Sequence, residues 1–162
     1  MGIVGCGKIG REVARLSSAL GMKVIVSDPC IQDENVTLVS LDELLRMSDF
    51  ITVNCPLTDG TCNLIGREEI AKMKDGTFLV NTARGGIINE EALLEAVRSG
   101  KVGAALDVFS TKKPFEDETV NNLILHESVI ATPHSIGQSH EAIDEKGEGV
   151  IKAVEEHVNS KA

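Results

Sequence analysis

The run Gly5-Cys6-Gly7-Lys8-Ile9-Gly10 limits the folds open to this chain more than any other stretch. It stands between a short apolar segment, Gly2-Ile3-Val4, and an amphipathic one from Ile9 to Leu20 with Val13, Leu16 and Leu20 on one face. Glycines at this spacing suit a strand-to-helix turn that receives a dinucleotide. Gly5 makes the tight turn, Gly7 lets a pyrophosphate approach the backbone, and Gly10 permits close packing of helix on strand. The amides of Lys8 and Ile9 then face the phosphates from the helix N-terminus. Asp28 closes the next apolar strand, Met22 to Ser27, about the 20 residues on that the pattern requires. Its carboxylate suits both ribose hydroxyls and repels a 2′-phosphate. No Lys or Arg follows before Arg46, so NAD is favoured over NADP.

Strand and helix patterns alternate through the rest of the chain. Gly21 ends the first helix as a cap. A weaker apolar pattern, Val36 to Val39, precedes a helix from Ser40 with Asp42 and Glu43 in its first turn. Strands follow at Phe50 to Cys55, stopped by Pro56, at Thr77 to Val80, at Val102 to Val108 and at Ser128 to Ala131. Helices are expected at Glu68 to Met73, Asn89 to Ser99 and Gln138 to Val158, and one long irregular stretch at Phe109 to Asn122. Apolar strands separated by helices imply a parallel sheet covered on both faces. The expected fold is α/β, a three-layer Rossmann fold with a doubly wound parallel sheet, as one domain over residues 1–162.

Arg84, in Asn81-Thr82-Ala83-Arg84-Gly85-Gly86, falls where a buried strand gives way to a helix capped by Asn89. That is the sheet edge at which open α/β folds bind ligands. A planar guanidinium there suits bidentate recognition of a carboxylate or phosphate.

Bulk properties narrow the partners. A formal charge of -9 argues against nucleic acid and anionic membrane. No apolar run approaches the ~20 residues of a membrane span, and no signal peptide is expected ahead of the glycine motif. Aromatic residues make up only 2% of the chain, so Leu, Ile, Val and Ala must form the core. Cys6, Cys30, Cys55 and Cys62 form no CxxC pair and no zinc spacing; they read as reduced structural thiols of a cytoplasmic protein, and no metal is expected.

Taken in order, GCGKIGREVA, SDP around Asp28, SDFITVNCPLT, KMKDGTFLVNTARGGIINEEAL, GAALDVF and VIATPH resemble the D-isomer-specific 2-hydroxyacid dehydrogenases, with the phosphoglycerate dehydrogenase branch nearest. The resemblance runs through essentially the whole chain. It implies that Arg84 binds the carboxylate and keto oxygen of a 2-hydroxy or 2-keto acid. It also implies that His134 is the general acid/base, a task suited to an imidazole with an ordinary pKa of ~6.5. Asp107 matches a residue contacting the nicotinamide carboxamide. Thr82, Ala83 and the segment His134 to Gly137 match the nicotinamide end, and Cys55 and Pro56 the loop beside the adenosine half. Family members pair through this domain, so a homodimer is expected.

The chain departs from the family in two places. The family's third catalytic residue is a glutamate just before a proline, after the DVF segment; here Lys112 and Lys113 precede Pro114. A cation there opposes the imidazolium that a carboxylate favours. Glu116 or Glu118 would replace the glutamate only if the loop shifts by about a turn. The family's substrate domain is also expected to be absent, which leaves a non-catalytic NAD-binding or dimerising module as the alternative function.

Overall fold

A computed structural model describes residues 1–31 and 36–159. Strands and helices alternate as β1 (Gly2–Val4), α1 (Lys8–Ala19), β2 (Ile25–Ser27), α2 (Leu41–Met47), β3 (Phe50–Val53), α3 (Arg67–Lys72), β4 (Thr77–Asn81), α4 (Glu90–Arg98), β5 (Val102–Leu106), α5 (Glu118–Ile124), β6 (Val129–Ala131) and α6 (His140–Asn159). The sheet runs β2-β1-β3-β4-β5-β6, and every adjacent pair is parallel. From β1 the chain steps outward to β2, then returns past β1 to β3 and continues the other way. This reversal is the topological switch of a doubly wound Rossmann sheet, and it opens a crevice at the carboxyl ends of β1 and β3.

Local chemistry explains the helix starts. The Ser40 hydroxyl accepts the N–H of Glu43, the Asn89 carboxamide that of Ala92, and the Asp117 carboxylate that of Val120. The main core lies between the sheet and α2 to α5, built on residues such as Leu44, Ile51, Leu79, Leu93 and Leu123. A smaller one, with Ile3, Ala14 and Val26, lies under α1.

Four expectations need correction. The stretch Phe109 to Asn122 is not irregular throughout, because α5 begins at Glu118 behind its Asp117 cap and buries Val120 and Leu123. The adjacent Asn121-Asn122 obscures that pattern in the sequence. In α1 the sheet-facing residues are the small Gly10, Ala14 and Ser17, whereas Leu16 and Leu20 are 49% and 81% exposed. The expected strands are also trimmed: Met22 to Val24 lie outside β2, and Val36 to Val39 contribute one parallel bridge, Val26 to Leu38. Finally, cover is unequal on the two faces. The face that carries α1 over β1 leaves Phe50 and Ile130 44% and 62% exposed farther along. Along α6 no residue is buried.

Candidate functional site

The glycine loop occupies the crevice. Gly5 has φ +88°, and a Cβ on it would lie 2.6 Å from the Cys55 amide nitrogen, so only glycine lets β1 turn against the loop after β3. Gly10 packs against Gly5 itself: a Cβ there would meet the Gly5 carbonyl oxygen at 2.2 Å. Gly7 differs. Its φ of -70° suits any residue, nothing lies within 4 Å of a Cβ built on it, and it is exposed at the uncapped start of α1. Nothing in the fold itself requires a glycine there, so the open space fits a ligand pyrophosphate on the α1 N-terminus, beside the exposed Lys8 and Ile9.

Asp28 faces the same loop. One carboxylate oxygen accepts the Cys6 N–H at 2.7 Å and the other the Cys30 N–H at 2.8 Å. The half-buried carboxylate is thereby oriented, with further lone pairs left for hydroxyl donors. Cys55 lies close by: burial pushes its thiol above the ordinary range, and the negative charge of Asp28 adds to the rise. None of the four cysteines is in a disulfide; Cys6 is buried and Cys55 partly so, while Cys30 and Cys62 are exposed, which sets the last two apart from the expected structural thiols.

Two cavities meet at Arg84. One, of about 580 Å³, is lined by Ile9, the Asn54 to Leu57 loop, Thr82, Ala83 and Arg84. It joins the α1 start, Cys55 and Pro56 to the turn after β4. The other, of about 560 Å³, brings Arg84 together with Asp107, Phe109, Lys112, Phe115 and His134. Residues far apart in sequence thus line one connected edge of the sheet. Gly137 lines neither cavity; it is exposed and its carbonyl accepts the Lys146 ammonium at 2.9 Å.

The turn that carries Arg84 is held by Asn81, which the sequence reading passed over. Asn81 is buried at the end of β4; its carboxamide accepts the Ala83 N–H at 3.1 Å and donates to the Arg84 carbonyl at 3.0 Å. A polar side chain ending an apolar strand was the available signal. Gly85 then lets this turn lie against the chain after β5, because a Cβ there would sit 2.0 Å from the Phe109 carbonyl. The Arg84 side chain is exposed, with one guanidinium nitrogen donating to the Ala83 carbonyl at 2.6 Å.

His134 sits in a loop fastened by Asp107. That carboxylate, 2% exposed, accepts the Thr132 hydroxyl at 2.5 Å, the Ser135 N–H at 3.0 Å and the Ile136 N–H at 3.3 Å. Much of its hydrogen-bonding capacity is therefore spent within the chain. His134 itself has φ 55°, the left-handed region uncommon for a side chain of this size. The Gln138 side chain also donates to its carbonyl, at 2.9 Å.

Glu116 pairs with Lys113 at 2.9 Å, and Glu118 begins α5; neither lines the cavity with His134, and Lys112 does.

Residues 1–135 match the family described as D-isomer specific 2-hydroxyacid dehydrogenase, NAD binding domain. The chain is 52% identical over 142 residues to a hydroxypyruvate reductase of Thermotoga maritima, covering 86% of this chain and 46% of that protein. It is 47% identical over 148 residues to a D-3-phosphoglycerate dehydrogenase of Bacillus subtilis, covering 88% of this chain and 27% of that one. A crystal structure of D-lactate dehydrogenase from Aquifex aeolicus, complexed with NAD and lactic acid, superposes with TM-score 0.88 at 33% identity, over 98% of this chain and 53% of the other. The chain thus spans about half or less of the length of these relatives. A matched domain, a shared doubly wound sheet and a glycine loop opening on its crevice agree, and the chain belongs to the D-isomer-specific 2-hydroxyacid dehydrogenases as their NAD-binding domain.

Proposed function

We propose that this chain is the cofactor half of an oxidoreductase that exchanges a hydride between NAD and the hydroxyl-bearing carbon of a 2-hydroxy acid. One observation carries the reading: Arg84 lines both the cavity beside the glycine loop and the cavity that holds His134. A carboxylate on Arg84 therefore lies between the two.

Gly5, Gly7, Lys8, Ile9 and Gly10 would hold the pyrophosphate, Asp28 the ribose, and Cys55, Pro56, Thr82 and Ala83 the remainder, toward the nicotinamide end near Asp107 and Gly137. When bound, NAD supplies the hydride acceptor or donor. The protein's own groups do the rest. Arg84 clamps the acid's carboxylate through a bidentate pair and polarises its carbonyl oxygen. His134 takes the hydroxyl proton in the oxidising direction and returns it in the other. Asp107 fixes the loop from which His134 projects.

Lys112 favours a second reading. A cation lines the cavity where relatives would be expected to place a carboxylate, so the chain would bind NAD and assemble without catalysing. Two apolar surfaces suit assembly with a second copy, as a homodimer, or with a substrate domain. One is formed by Leu16 on α1 and Leu20 at its C-cap, the other by Ile143, Val150, Ile151, Val154 and Val158 along α6. No helix among the described residues is long and apolar enough to cross a membrane, and a cytoplasmic location fits the acidic chain and its cysteines, none of them in a disulfide.

Titration with NADH and NADPH, followed by nucleotide fluorescence and melting temperature, tests the cofactor site. Saturable binding of NADH alone is expected; equal binding of NADPH would remove Asp28 from the ribose site. Turnover of any 2-keto acid with NADH separates the enzyme from the module.

A further inference from the structure

Among the described residues Lys112 has a charge and no counter-charge. Its neighbours are pinned: Ser110 donates its N–H at 2.8 Å and its hydroxyl at 2.5 Å to the Glu90 carboxylate, and the Lys113 ammonium pairs with Glu116 at 2.9 Å. Among the described residues Lys112 has no such anionic partner, although the chain carries a net charge of -9. It lines the same cavity as Arg84 and His134. Asp107, the acidic residue of that lining, is buried and turned to the 132–136 loop, where three donors take up its charge. Much of the remaining wall is apolar, Phe109 and Phe115 included.

Two cations in an apolar-walled cavity, with no exposed anion beside either among the described residues, fit a ligand bearing two anionic groups. One alone would satisfy Arg84 and leave the Lys112 ammonium beside the ligand's far end. We propose that Lys112 selects the substrate, and that the acid taken here carries a second anionic group, a phosphate or carboxylate, beyond its hydroxyl-bearing carbon. This rests on the reading of Arg84 as the clamp for the first carboxylate. An ammonium is a compact point charge on a flexible stem, suited to a distal group of either kind.

The test is calorimetric titration of the NADH-saturated chain with 3-phospho-D-glycerate, D-malate, D-glycerate and D-lactate. Those four separate a distal phosphate, a distal carboxylate and no distal charge. The wild type should bind at least one dianion roughly tenfold more tightly than either monoanion, and K112Q should abolish that preference. K112R should keep it. R84Q should abolish binding of all four acids while NADH still binds. Equal affinities for dianions and monoanions, a preference that survives K112Q, or no acid bound at all by NADH-loaded protein would each overturn the proposal. Failure to bind NADH would instead overturn the cofactor reading, and this inference with it. Circular dichroism of each variant confirms that the fold is retained.

Discussion

Asp107 accepts the backbone N–H of Ser135 at 3.0 Å, which ties the buried end of β5 to the residue following His134. The Thr132 hydroxyl reaches the same carboxylate oxygen from the other side of the histidine. His134 is thus bracketed by two bonds to one buried acid. Replacing Asp107 by Ala strands those donors, so D107A should lower unfolding free energy by about 1.5–3 kcal/mol in urea denaturation. The His134 ring resonances should broaden or shift in NMR spectra at the same time. An unchanged midpoint would show that the loop holds without Asp107.

Glycines of the two motifs should respond differently. At Gly85 a methyl group would overlap the Phe109 carbonyl, backbone against backbone, and G85A should cost on the order of 3 kcal/mol or prevent folding. At Gly7 the space is open and φ is ordinary. G7A should change stability by no more than about 1 kcal/mol, as for a weakened N-cap. Yet it should weaken NADH binding at least about tenfold, because its methyl stands where the pyrophosphate approaches. Thermal denaturation and fluorescence titration of both variants separate the two roles.

Asp28 shapes the glycine loop through the Cys6 and Cys30 amides, and in the proposed reading it also holds the cofactor ribose. D28A should weaken NADH binding by about 1–3 kcal/mol through lost hydrogen bonds to a charged acceptor. It should also narrow the preference for NADH over NADPH, since the repelling charge is gone. Unchanged affinity for both nucleotides would exclude Asp28 from the site.

The thiols should divide by exposure and charge. Cys30 and Cys62 are exposed and should react with a maleimide quickly at neutral pH. Cys6 is buried and should react only on unfolding. Cys55 is partly buried with its pKa raised by burial and by Asp28, so less of it is thiolate at any given pH than in an unfolded chain. Its labelling should therefore require a higher pH than that of Cys30, as read by mass spectrometry over a pH series. In D28N the Cys55 profile should move to lower pH, because one cause of the rise is removed.

Much of this protein is legible locally. The cap at Asn89, the strand leading to Arg84 and the order of strands and helices depend on neighbours a few residues apart, and these the sequence displays directly. The weak pattern before Ser40 and the helix hidden after Asp117 mark where local signals thin out. One bridge is all that the first forms, and the second is held by burial of Val120 and Leu123.

What the sequence by itself determined is the class of fold, the glycine loop with its acid, and which residues stand at the carboxyl edge of the sheet. Only the tertiary structure decided that α1 turns its small residues inward, that Asp107 spends its carboxylate on the His134 loop, and that Lys112 shares a cavity with Arg84. The reason is physical. Periodicity shows that a helix has two faces, but which face is buried depends on how closely it must approach the sheet. At Gly10 that approach leaves no room for a side chain. Likewise a carboxylate's partners are chosen by what folding brings within 3 Å, here residues more than twenty positions away.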